Sequence, residues 1–125
     1  MMISYDNLFE MLDELVVALP PALYKDLNGG VNLLNRIKFH PAAKENDLYI
    51  MGEYLAGGPF GRVINIFFGS FVQLYGNSPV QTQKKQLEKI LKHELLHHME
   101  SLAGENSLGK KDEEELWAYL YDTPI

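Results

Sequence analysis

The chain has 125 residues, no cysteine, 46% hydrophobic residues and a net charge of −6. That length suits one domain over residues 1–125 with a single core, and the acidic balance excludes a nucleic-acid partner, which needs a basic patch to release phosphate counterions. Without a thiol there are no disulfides or thiolate ligands, so any metal falls to His, Asp or Glu.

Taken in chain order, the first element is a helix. Ser4 stands ahead of Leu8, Leu12, Leu15, Val16 and Leu19 at helical spacing, and Pro20-Pro21 ends the run. The longest apolar stretch here, "LVVAL" at 15–19, is too short for a membrane span and has no basic segment before it. A cytoplasmic protein with no membrane partner is therefore expected. A short second helix is predicted from Pro21 to Leu27, closed by Asn28-Gly29-Gly30. Two strands follow, Val31–Phe39 and Leu48–Tyr54. "AGGPFG" at 56–61 reads as a turn, and "RVINIFF" at 62–68 as the strongest strand, apolar enough for burial on both faces.

A long helix is announced by Ser78 as N-cap, Pro79 as first helical residue and Gln81 as the reciprocal partner of a capping box. Nothing breaks it before Gly104, which allows about 24 residues and roughly 36 Å. Leu87, Leu91, Leu95 and Leu102 share one stripe, which should face the sheet. Lys84, Lys85, Lys89 and Lys92 cluster mostly on the opposite face and read as a solvated surface.

This helix carries "HELLHHMES" at 93–101, three of the chain's four histidines. His93 and His97 lie about 40° apart on the wheel and one turn from each other, the spacing two imidazoles need to grip one ion. Glu94 lies about 100° further round, where it reaches a water held by the metal instead of the metal itself. Two neutral imidazoles and a third ligand hold Zn²⁺ with one position open, and the ion then activates water and polarises a carbonyl. Glu94 would be the general base, passing the water proton to the leaving amine. The plain alternative is the polar face of an ordinary helix, and both histidines border the apolar stripe instead of opposing it. His98 falls inside that stripe and reads as a packed, hydrogen-bonded core histidine. Tyr54 and Tyr119 are candidates to stabilise an oxyanion, although aromatics at such spacing are usually core. His40, before Pro41, stands alone in a loop.

"HELLHH", preceded by "LYIMGEYLAGG" and "RVINIFFGSF" and followed by "DEEEL", resembles the zincin-like metallopeptidase domain of small bacterial proteins. The likeness runs loosely over about 45–121 and is specific mainly at 93–98. It implies an α+β fold of minimal zincin type: a small mixed β-sheet packed against the motif helix, with N- and C-terminal helices. It implies a zinc peptidase acting on a peptide or protein, with His93 and His97 as ligands and Glu94 as base. The family commonly has a glycine three residues after the second histidine and soon afterwards an aspartate. Here Glu100 occupies the glycine position, and "SLAGENSLGKK" intervenes before Asp112.

The third ligand is consequently open between three carboxylates. The resemblance favours Asp112, which opens the "DEEEL" helix, although Asp112 with Glu115 also forms a capping box. Glu113 shares a face with Leu116, Trp117 and Leu120. Glu100 lies near His93 on the wheel but roughly 10 Å along the axis, so its ordinary role is that of an exposed carboxylate or of one supporting a ligand histidine. A deformylase-like site would need a cysteine, and a metzincin-like site a further histidine and a methionine beyond Met99; neither is present. Two functions stand beside each other: a zinc-dependent peptidase, and a metal-binding or interaction module of the same fold without efficient turnover. Nothing in the sequence fixes the oligomeric state.

Overall fold

The structure, a computed structural model, describes residues 2–42, 48–59, 61–105, 114, 116–118 and 120. It is an α+β fold: a small mixed sheet of three strands, one long helix across it, and helices towards both termini. α1 runs Tyr5–Ala18, and the Ser4 hydroxyl just ahead of it accepts a hydrogen bond from the Asn7 backbone N–H. Leu8, Leu12 and Leu15 form its buried stripe. The second predicted helix shrinks to a 3-10 turn, Pro21–Tyr24. The chain then passes through Asp26 at φ 60° and the Asn28-Gly29-Gly30 corner, conformations that a helix cannot contain.

β1 is Gly30–Leu34, β2 Gly52–Gly58 and β3 Gly61–Phe67. β3 is central, parallel to β1 and antiparallel to β2. Both outer strands differ from expectation. β1 ends at Leu34, and residues around Phe39 and Tyr49 make only an isolated bridge. β2 starts four residues late and runs through the glycines assigned to a turn, leaving a tight reversal between Gly58 and Gly61, whose φ of 72° suits glycine. β3 is buried on both faces only at its end: Ile64 and Ile66 enter the core, Asn65 points the other way half-buried, and Phe67, on Asn65's face, is fully buried with Arg36 and Lys38 over its ring.

That outer face carries a polar ladder. The Asn32 amide donates to Asn65, and the Asn65 amide donates to Glu53 at 3.0 Å. Lys38 closes the row as an ion pair with Glu53. β3 turns directly into α2, Phe68–Tyr75, where Gly69 lies so close to Arg36 and Ile37 that an added Cβ would meet them at 2.6–2.8 Å.

α3 spans Val80–Gly104, 25 residues, close to the predicted length. Its start differs: Pro79 is the cap residue and no side chain caps it, so the Ser78–Gln81 box does not form. Gln83 takes over the junction, its side-chain amide donating to the carbonyls of Tyr75 (2.9 Å) and Gly76 (3.1 Å) and tying α3 to the end of α2. Leu87, Leu91, Leu95 and Leu102 are fully buried, and α3 packs on β2 and β3 through them. Leu116 and Leu120, helical residues near the C-terminus, join the same core. No described helix is long and apolar enough to cross a membrane.

Candidate metal centre

The middle of α3 is held against the sheet by its leucine stripe, so the residues flanking that stripe emerge beside the edge strand β2. His93 and His97 are exposed, their rings nearly perpendicular with centroids 4.7 Å apart. Their Nε2 atoms converge to 3.2 Å. That is the distance at which one ring N–H donates to its neighbour's lone pair. It is also close to the edge of a zinc tetrahedron: with Zn–N bonds of about 2.0–2.1 Å, two ligand nitrogens sit about 3.3 Å apart. The pair therefore fits one ion with little ring movement.

Glu100 lies on the far side of this pair. Its Oε1 is 3.6 Å from Nδ1 of His97, the nitrogen that faces away from His93. A carboxylate there orients the imidazole and makes it a better ligand. Glu100, itself exposed, approaches His97 from that side without a hydrogen bond and lines the same hollow as the histidine pair. Asp112, the preferred third ligand in the sequence, and Glu113 lie outside the described residues. Among the described residues, no group of three or more His, Cys, Asp or Glu side chains comes together to hold a metal.

Glu94 is only 6% exposed. Burial pushes its carboxyl above the usual carboxylate range; neighbouring His97 opposes that and Glu53 adds to it. The burial has a specific cause on β2. A Cβ on Gly52 would stand 3.3 Å from both Cγ and Oε2 of Glu94 and 3.1 Å from Ile90. Gly52 is thus what lets the edge strand close over the carboxylate. No motif in the sequence marked it, because its role shows only once strand and helix are in register.

Two hollows meet at this point. One, about 620 Å³, holds His93, Glu94, His97 and Glu100 and is walled by Tyr54 and Ser101. The other, about 520 Å³, shares Gly52, His93 and Glu94 with it and is otherwise mostly apolar. Lys89 and Lys92 line the second hollow and are half-buried, so the cluster assigned to a solvated face divides; Lys84 and Lys85 are exposed.

His98 is a core residue, as its place in the leucine stripe predicts, with no exposed surface. Its Nε2 lies 2.6 Å from the carbonyl of Lys25, which can only accept, so Nε2 carries the proton. Burial pushes the pKa of the ring down and keeps it neutral. Nδ1 is then an acceptor, and the Tyr54 hydroxyl donates to it at 2.8 Å. The one phenolic proton of Tyr54 is spent on His98, so Tyr54 cannot donate to an oxyanion; Tyr119 lies outside the described residues. His40 serves its own loop, Nδ1 accepting from the Ala42 N–H.

Glu53, on the outer face behind Glu94, gives a separate test of the fold. Burial raises its pKa, but hydrogen bonds from Lys38 and Asn65 and the charges of Lys38 and Arg36 outweigh that and hold it below the usual 4.5. A carboxylate whose folded pKa is depressed stabilises the fold above its unfolded value and loses that contribution as the pH falls through the folded value. Urea unfolding of wild type is therefore expected to weaken below about pH 4.5, and Glu53→Gln to show a flatter acid limb. Identical acid limbs would refute this.

Comparison with known proteins places the chain. No family model matches it, and no curated protein does. Among solved structures it is similar to a conserved hypothetical protein from Thermo thermophilus, at 30% sequence identity and a TM-score of 0.71, over 82% of this chain and 99% of that one. The chain belongs to that protein's family. The resemblance to zincin-like metallopeptidases drawn from residues 93–98 is corrected by the same comparison. No family model supports it, the related solved chain is described only as a conserved hypothetical protein, and the described residues bring two histidines together with no group of three or more side chains that could hold a metal. The physical reason is the brevity of the signal: a six-residue pattern on one helix fixes how those side chains face one another, not the family of the domain around them.

Proposed function

We propose that the chain is a zinc-dependent peptidase in which His93 and His97 hold the ion and Glu94 is the general base. The observation that supports this reading is the convergence of two Nε2 atoms to 3.2 Å beside a buried carboxylate. The reading rests on this local chemistry and on no family assignment. The sequence offers Asp112, Glu113 and Glu100 as third ligand, and the preference for Asp112 comes from the resemblance alone. When bound, zinc polarises a carbonyl and lowers the pKa of a water towards about 7.

The chain's own residues account for the remaining work. Glu94 takes a proton from the attacking water and passes it to the leaving nitrogen, so OH ends on the carbonyl carbon and H on the amine. Burial raises its pKa, so Glu94 takes up a proton more readily than an exposed glutamate does. Glu100, 3.6 Å from Nδ1 of His97, adds a negative charge that favours the ring as a ligand. β2 is an edge strand of the sheet, so its outer backbone groups suit an extended peptide that pairs with it and passes the site.

Metal analysis of protein purified without added zinc or chelator is expected to find about one zinc per chain. The zinc-loaded protein should cleave a mixed peptide library, and a chelator should stop it. Bound zinc with no cleavage of any peptide would sink the peptidase reading in favour of a metal-binding module; no bound zinc would sink both.

A further inference from the structure

The apolar hollow beside Glu94 is built from both partners of the site. Ile50 and Met51, entering β2, form one wall; Ile90 and Leu96 on α3 form the other, with Leu120 completing it. Its volume of about 520 Å³ is that of a pocket which takes a large apolar group. It is continuous with the metal centre through His93, Glu94 and Gly52, so a chain whose carbonyl lies at the histidine pair can set its next side chain here.

The charge on the lining is one-sided. Lys89 and Lys92 contribute to it, and among the described residues Glu94 is its only carboxylate, in a chain whose net charge is −6. Lys92 is held by Glu88 at 3.1 Å, one turn back. Lys89 makes no ion pair with the described residues and stands one turn before His93. One helical turn is about 5.4 Å and one residue of extended chain about 3.5 Å, so a flexible lysine there reaches a carboxylate one residue beyond a carbonyl at His93.

We propose that this hollow selects peptides ending, one residue past the cleaved bond, in a bulky apolar residue with a free carboxylate. The apolar side chain fills the Ile50–Ile90–Leu96 wall, and Lys89, beside Lys92, holds the terminal carboxylate. The proposal rests on the peptidase reading: water adds OH to the carbonyl carbon and H to the nitrogen, releasing a shortened peptide and a free apolar amino acid.

The test reads binding apart from turnover. Metal-free protein is titrated with N-acetyl-Ala-Phe, its C-terminal carboxamide and N-acetyl-Ala-Gly while the methyl signals of Ile50, Ile90, Leu96 and Leu120 are followed by NMR. The phenylalanine acid is expected to shift these methyls and to bind about tenfold more tightly than its amide, the worth of one charge-assisted contact. Lys89→Gln should remove most of the acid-over-amide preference and leave the preference for phenylalanine over glycine. Equal binding of the three peptides, shifts confined to other regions, or a preference unchanged in Lys89→Gln would overturn the proposal. Selective binding with no cleavage by zinc-loaded protein would support the pocket assignment and overturn the peptidase reading. Cleavage indifferent to the terminal residue would do the opposite.

Discussion

Glu94→Gln is expected to lower peptide hydrolysis by about 10²–10⁴-fold, the usual contribution of a positioned general base, while zinc content stays at the wild-type level. Glutamine keeps the shape of the side chain packed under Gly52 but cannot accept the proton. His93 and His97 are untouched by the change, so the Nε2 pair proposed to hold the ion keeps its geometry. No other described carboxylate is placed to substitute. Glu100 sits at the far nitrogen of His97, and Glu53 lies on the other face of the sheet, engaged by Lys38 and Asn65. Parallel metal analysis and single-peptide kinetics on wild type and Glu94→Gln provide the check. A variant that keeps its zinc and hydrolyses at the wild-type rate would remove Glu94 from the chemistry.

The parts of the fold that were legible in the sequence are those fixed by periodicity within one element. The α3 stripe of Leu87, Leu91, Leu95 and Leu102 is buried throughout, and the separation of His98 from His93 and His97 follows from the same 100° step. The α1 cap is equally local: one hydroxyl and one backbone N–H three residues on. What was not legible depends on partners distant in sequence. Ser78 and Gln81 match a capping box, yet Gln83 reaching Tyr75 and Gly76 decides how α3 begins. β2 is displaced because its ladder with β3 carries the pairing through Gly58. The lysines look alike on a helical wheel, and only the apposition of residues 50–52 to α3 turns Lys89 and Lys92 towards a hollow. Gly52 has no signature for the same reason. At the site itself, the motif disclosed how His93 and His97 face one another and that Glu94 lies beside them, because all three sit on one helix; Asp112 and Glu113 lie outside the described residues.

His98→Phe is expected to cost about 2–4 kcal/mol of stability. Phenylalanine keeps a planar ring in a position with no exposed surface, so packing is largely preserved. Both hydrogen bonds vanish. The Lys25 carbonyl, 2.6 Å from Nε2, and the Tyr54 hydroxyl, 2.8 Å from Nδ1, both part-buried, lose their partner. Stranded groups of this kind cost about 1–3 kcal/mol each, well above the net worth of the bonds themselves. The loss should appear as a lower urea midpoint with an unchanged slope. Tyr54→Phe supplies the discriminating comparison, since it removes the hydroxyl that His98→Phe leaves unpaired. In the double variant, part of the cost is expected to return, with a coupling of about 0.5–3 kcal/mol between residues in direct contact. Strict additivity would mean that the Tyr54–His98 bond contributes nothing. A His98→Phe midpoint equal to wild type would mean that the ring, and not its hydrogen bonds, is what this position requires.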